Sequence, residues 1–235
     1  MQDFGAAFGL AFRLISAGDA DLLEIIWLSL RVSLSAVLVA CLIGLPMGAA
    51  LAITRFPGRG AALVLVNALM GLPPVVVGLL VYLMLSRAGP LGVLELLYTP
   101  TAMIIAQTVL VAPIVAALSR QVVEDLHAEY DEHLRSLALR PYAVAETLLW
   151  DARYSLLTVA LAGFGRAIAE VGAVIIVGGN INHVTRVMTT AIALETSKGD
   201  LALAVALGIV LMTLAVVING GVMVLRTSAA RTAYA

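Results

Sequence analysis

Apolar runs long enough to cross a bilayer constrain this chain more than any other feature. A spanning helix needs about 20 mostly apolar residues. Five stretches reach that length: about Leu22–Ile53, Ala61–Leu85, Pro100–Leu118, Leu156–Val177 and Leu201–Leu225. Hydrophobic residues make up 62% of the 235 and charged residues only 12%, where a soluble domain carries about a quarter charged. Hydrocarbon offers no water to backbone N–H and C=O groups, so segments of this kind are expected as helices. The sequence therefore predicts an all-α, polytopic membrane protein, with five transmembrane helices in a single domain over residues 1–235.

One long polar interruption breaks the pattern. Eleven of the 29 charged residues (14 basic plus 15 acidic) fall between Arg120 and Arg153, together with His127 and His133. Such a segment belongs in water. Within it Leu126, Tyr130, Leu134 and Leu137 fall at i, i+4, i+8 and i+11, one apolar stripe on a helix. Pro141 disfavours the α conformation at Arg140 and suits the first turn of a new helix. One helix is expected to end near Leu139–Arg140, and a second to lead from Pro141 towards the fourth span. Two readings of the stripe stand side by side. It inserts into a groove on a soluble partner, or it packs on the chain's own spans.

The arginines set the orientation. With the insert in the cytoplasm, that side also holds Arg55, Arg59, Arg226 and Arg231, eight basic residues with Arg120, Arg135, Arg140 and Arg153. The other side holds four: Arg13, Arg87, Arg186 and Lys198. The expected topology is N-terminus out and C-terminus in. The first residues lack the basic start of a secretory signal. Phe4, Phe8, Phe12 and Ile15 fit either a helix lying in the membrane surface or an ordinary lead-in.

Several functions are excluded or disfavoured. A net charge of −1 gives no electrostatic case for nucleic acid. The single Cys41 allows no internal disulfide and no cysteine-rich metal site. The single lysine lies in Ser197-Lys198-Gly199, which is not a phosphate loop. His183 has no histidine or cysteine close in sequence, so no metal is expected. An intramembrane enzyme needs converging nucleophile, base or ligands, and the spans offer too few; a stand-alone channel would not need the long amphipathic insert. No catalytic residue and no cofactor is expected in this chain.

Two features inside the spans invite a transport reading. Arg166 and Glu170 are four residues apart and are expected to share a helix face. They form a packing ion pair, or Arg166 also lends positive potential to an anion path. Pro73-Pro74 breaks the second span, and such breaks are tolerated where backbone lines a cavity. Outside, the Gly178–Asp200 segment carries Asn180, Thr185, Arg186 and other groups able to donate to oxyanion oxygens. It reads either as a receiving surface or as a polar loop with a short helix over Val187–Glu195.

At these residues the chain resembles a known family. Glu132-His133-Leu134-Arg135-Ser136-Leu137-Ala138 occupies the frame of the E-A-A-x-x-x-G signature by which inner-membrane permeases of bacterial ATP-binding-cassette importers dock onto their ATPase. Glu132 matches the glutamate; His133 and Leu134 replace the alanines, and Ala138 the glycine. The run from Gly71 through Pro73-Pro74 to Gly78 looks like the Pro-Pro span of molybdate-, sulfate- and tungstate-type permeases. The run from Gly163 to Ala173 looks like their R-A-x-x-E-x-G segment. With Val177–Ile181 and Thr185–Ile192, the likeness is strongest to the tungstate type.

The resemblance implies the type I importer permease fold with a cytoplasmic coupling-helix insert at about 120–153. It implies ATPase coupling through Glu132, His133, Leu134, Leu137 and Ala138, and a translocation path or gate at Pro73, Pro74, Arg166 and Glu170. The implied partners are a second copy of the chain, two ATPase subunits that carry the ATP and Mg, and an extracytoplasmic binding protein. That protein would deliver an oxyanion, tungstate ahead of molybdate, vanadate or sulfate, across the cytoplasmic membrane.

Overall fold

The computed structural model describes residues 4–137 and 139–233. Among the described residues there are eleven α-helices and one 3-10 turn, Gly92–Leu94. In chain order the helices are α1 (Phe4–Ala17), α2 (Ala20–Ile53), α3 (Arg59–Met70), α4 (Pro74–Leu85), α5 (Pro100–Glu129), α6 (Asp131–Ser136), α7 (Pro141–Asp151), α8 (Arg153–Ile168), α9 (Gly172–Gly178), α10 (Met188–Lys198) and α11 (Leu201–Ala233). The protein is all-α and multi-pass.

The apolar runs become helices in two ways. The segments Ala20–Ile53, Pro100–Glu129 and Leu201–Gly221 are long and apolar enough to cross a membrane singly. The pairs α3 with α4 and α8 with α9 are each interrupted by a break, and counting each pair as one span brings the total to five. Pro74 explains the first break. It occupies the first turn of α4, and Pro73 before it is extended at φ −63° and ψ 122°, as the steric clash with a following proline requires. The second break has no proline and departs from the continuous fourth span expected from the apolar run. α8 stops at Ile168 and α9 starts at Gly172.

The residues group into two compact units. The first comprises Met1–Ser35, Pro73–Gln107 and Ile168–Asn219. Its core includes Met103, Val174, Val177 and Leu207, all inaccessible or nearly so. In it α4 and α9 pack backbone to backbone: a methyl on Gly78 would sit 2.8 Å from the Ala173 Cα. Small residues permit this approach, which favours association between apolar helices.

The second unit comprises Ala36–Leu72, Thr108–Ala167 and Gly220–Ala235. Here α2 and α5 meet at Gly44 and Gly48; a methyl on Gly48 would overlap the Ser119 hydroxyl and come within 2.5 Å of the Ala116 carbonyl oxygen. That hydroxyl is fully buried and donates at 3.3 Å to the Gly44 carbonyl, which satisfies a polar group in apolar surroundings.

Candidate functional site

The polar insert is folded as a helical extension rather than a separate excursion. α5 runs past the expected end of the third span to Glu129, so the stripe residue Leu126 lies on α5. After Tyr130 the six-residue α6 follows. As expected, Arg140 is extended (φ −71°, ψ 149°), and Pro141 opens α7. Ala49 of α2, Val123 of α5 and Val144 and Leu148 of α7 form a buried cluster. Leu126, Tyr130 and Leu134 pack against it. Most of the stripe therefore faces the chain's own helices, the second of the two readings open from periodicity.

What remains outward differs from the stripe. Glu132, His133 and Ser136 are exposed, and Leu137 is 66% exposed. The Ser136 hydroxyl and the Leu137 N–H both donate to the His133 carbonyl, at 2.7 Å and 3.2 Å. These bonds close the turn that presents Leu137. Ala138 lies outside the described residues. Three of the five expected coupling residues, Glu132, His133 and Leu137, thus offer an exposed surface, while Leu134 belongs to the scaffold.

The end of α2 and the start of α3 meet α5 at a charged cluster that the sequence reading did not single out. Arg59, the first residue of α3, donates through Nε to the Leu51 carbonyl of α2 at 2.9 Å. Its Nη2 lies 3.1 Å from Glu124 Oε1 on α5. The other Glu124 oxygen is taken by Arg120 one turn earlier. The Arg120/Glu124 spacing of i, i+4 was a visible signal. The third member was not, because Arg59 comes from 65 residues away.

Pro73 and Pro74 lie at the start of α4, with Pro73 exposed and Pro74 half-buried. The Pro73 carbonyl accepts from Val76 and Val77 N–H at 3.0 Å and 3.2 Å, so the helix starts with its first acceptor used. Glu170 is 4% exposed and lies in the break before α9. Its Oε1 accepts from the Ala173 N–H at 3.0 Å, and its carbonyl accepts from the Thr189 hydroxyl at 2.8 Å. A methyl on Gly172 would come 3.0 Å from Val75 Cγ2, so the first turns of α4 and α9 lie side by side. Arg166 sits in the last turn of α8, and Glu170 lies two residues beyond its end. The expectation that both share one continuous helix face is corrected: the helix stops between them, and the Glu170 carboxylate sits at the N-terminal end of α9, where negative charge is favoured.

The Gly178–Asp200 segment is built from its own polar groups. The Thr185 hydroxyl is fully buried; it donates to the Gly178 carbonyl at 2.5 Å and accepts from the Ile181 N–H at 3.0 Å. Asn180 has left-handed backbone at φ 50°, and its amide donates to the Thr190 carbonyl at 3.3 Å. Met188 N–H donates to the Ser29 hydroxyl on α2 at 2.8 Å, which anchors the segment. Arg186 approaches the buried Glu195 to 4.0 Å, and Lys198 reaches the same oxygen at 3.0 Å. The short helix expected over Val187–Glu195 is α10. Asn180 and Thr185 shape the turn and Arg186 is largely enclosed, so the exposed donors are fewer than composition suggested.

His183 has company that its sequence neighbours did not reveal. Its Nδ1 lies 2.8 Å from Glu24 Oε2, and ligand atoms of Asp21, Glu24 and His183 all lie within 4.8 Å of one another. All three residues are exposed. The Glu24 carboxylate, by hydrogen bond and by charge, holds the His183 imidazole above its usual value of 6.5. That ion pair gives the cluster a role in holding the segment without further chemistry.

Comparison with known proteins gives a consistent answer. Residues 43–228 match the family described as binding-protein-dependent transport system inner membrane component. The chain is 39% identical over 214 residues to a probable anion ABC transporter permease protein of Haloferax volcanii, covering 88% of this chain and 92% of that protein. It is 39% identical over 219 residues to the tungstate uptake system permease protein TupB of Peptoclostridium acidaminophilum, covering 93% and 96%. Similarity to a sulfate transport system permease protein of Synechocystis is lower, 28% over 207 residues, covering 85% and 75%.

Proposed function

From the premise that this chain belongs to the family of binding-protein-dependent transport inner-membrane components, and is therefore a membrane subunit of a transporter rather than an enzyme, we propose that it imports tungstate. The observation that carries the substrate is near full-length similarity, at 39% identity, to a tungstate uptake permease. In this reading two copies of the chain form the membrane part of the importer. Two ATPase subunits bind ATP and Mg and dock at Glu132, His133 and Leu137, with Ala138 completing the signature frame. An extracytoplasmic binding protein presents the oxyanion to the external segment over Gly178–Asp200, whose shape Asn180, Thr185 and Arg186 hold from within.

The mechanism needs no covalent step in this chain. Closure of the ATPases moves the docking segment, and the membrane helices switch the side on which the path opens. The gate is assigned to the adjoining first turns of α4 and α9, at Pro73, Pro74 and Glu170. Broken helices at such a point can rearrange without exposing unsatisfied backbone to lipid. Arg166 is the candidate source of the positive potential that a dianion requires in the path. Binding along the path must stay weak enough for release.

The N-out, C-in orientation in the cytoplasmic membrane rests on the arginine distribution, and an aromatic cluster beside the insert fits a membrane–water boundary there. The Arg153 guanidinium lies 5.2 Å from the Trp150 ring centroid and 4.7 Å from that of Tyr154, and both rings are exposed. Tryptophan and tyrosine gather at both membrane–water boundaries, so the cluster fits a boundary while the arginine count alone sets the side.

Sulfate is the second reading, because sulfate permeases are also related. The test is oxyanion accumulation by cells lacking this chain and cells given it back. Tungstate uptake should depend on the chain and resist excess sulfate. Sulfate uptake that depends on the chain, with tungstate uptake indifferent to it, would reverse the assignment.

A further inference from the structure

We propose that Glu124 is the positioning residue that ties the docking segment to the start of α3, so that the ATPase stroke is delivered to α2, α3 and α5 together. This inference rests on the importer reading. Three observations within one compact unit carry it. Glu124 lies on α5, two residues before Leu126, the first residue of the apolar stripe that seats the docking segment on the chain's own buried cluster. Each carboxylate oxygen takes a different arginine: Oε1 takes Arg59, and Oε2 takes Arg120. Arg59 in turn holds the Leu51 carbonyl at 2.9 Å, so a single guanidinium binds the end of α2, opens α3 and grips α5.

Exposure argues that this cluster acts on coordination more than on stability. The Glu124 side chain is 44% exposed, with Arg59 at 28% and Arg120 at 21%. Ion pairs that water reaches contribute little to folding. The adjoining buried cluster of Ala49, Val123, Val144 and Leu148 already holds α2, α5 and α7. A second buried cluster, Leu51, Val66, Ala116 and Ala117 with Ala62 and Leu63 packed against it, holds the body of α3 to α2 and α5, but neither cluster includes the first residue of α3. Arg59 is the polar connection there, and a fork-shaped guanidinium fixes direction as well as distance. A cavity of about 370 Å³ beside the cluster, lined in part by Arg55, Arg59, Glu124 and His127, leaves room for these side chains to adjust during a cycle.

The experiment uses the full-length chain purified with its ATPase and binding protein and reconstituted in vesicles. It measures tungstate transported per ATP hydrolysed. Glu124→Gln keeps the size and one acceptor oxygen but removes the charge that holds both arginines. It should assemble normally and hydrolyse ATP, yet transport per ATP should fall by about fivefold, the upper end for an ion pair that water reaches. Arg59→Lys, which keeps the charge but loses the fork, should lower the same ratio. It serves as the deciding variant if Glu124→Gln does not assemble. A Glu124→Gln complex that assembles with an unchanged ratio overturns the proposal, as does an unchanged ratio for Arg59→Lys where that variant decides. A wild-type complex without ATP-driven tungstate transport would instead overturn the importer reading on which it rests.

Discussion

The Glu170 carboxylate accepts a hydrogen bond from the Ala173 N–H at 3.0 Å and so closes the start of α9 at a break that contains no proline. The acid is buried and also receives the Thr189 hydroxyl on its carbonyl. One residue therefore links α9 to α10.

Substitution at this position should separate capping from charge. Glu170→Ala removes the acceptor and should lower stability by about 1 kcal/mol or more, the usual cost of losing such a cap. Glu170→Gln retains an oxygen for the Ala173 N–H and should lose less. Thermal unfolding of the purified chain in detergent checks the order; equal losses would assign the residue's effect to its charge alone.

Gly78 sets the approach of α4 to α9. A methyl there meets the Ala173 Cα at 2.8 Å, and backbone yields less readily than a flexible side chain. Gly78→Ala should cost about 1–3 kcal/mol, as overpacking does. The same unfolding measurement should show a clear loss, whereas Gly208→Ala, where a methyl meets nothing within 4 Å, should be nearly neutral.

The insert predicts two distinct failures. Leu137 is 66% exposed, so Leu137→Arg should leave the chain folded but weaken its hold on the ATPase. Co-purification from membranes reads this directly. Leu134 packs against the buried cluster, so Leu134→Arg should reduce the amount of folded chain, because an unpaired charge at a packed site is costly. Normal ATPase retention by Leu137→Arg would remove that residue from the docking surface.

His183 should titrate above 6.5 because of Glu24. A histidine whose folded value is raised stabilises the folded arrangement fully below its unfolded pKa, and the contribution disappears as pH rises through the folded value. The link between the loop holding His183 and α2 should therefore be firm in mild acid and loosen on the alkaline side of that value. Resonance of the His183 ring followed against pH should show the raised value, and Glu24→Gln should return it towards 6.5. No difference between the two would dissolve the pairing.

Much of this structure was legible in the sequence, and the reasons for the exceptions are physical. Apolar runs located the spans because bilayer thickness sets their length. Pro73-Pro74 marked a break in the second span and Pro141 a helix start, because proline restricts the residue before it. The break at Ala169–Val171 was hidden, since a buried carboxylate capping the next helix leaves no local sequence mark. The stripe Leu126, Tyr130 and Leu134 was visible, but periodicity cannot say whether its partner is another protein or the chain's own α2 and α7. Arg59 with Glu124, and His183 with Glu24 and Asp21, are contacts between distant segments and become visible only once the helices are assembled. The hydroxyl of Thr185 resembled a ligand donor in the sequence, and in the fold it serves the Gly178–Ile181 turn.

In the proposed function this chain forms the path of an ATP-driven tungstate importer. The most direct measurement is tungstate entry into vesicles containing the full-length chain, its ATPase and its binding protein, with and without ATP. Accumulation should depend on ATP, be lost without the chain and be little reduced by excess sulfate. ATP-independent entry, or accumulation that persists when the chain is omitted, would contradict it.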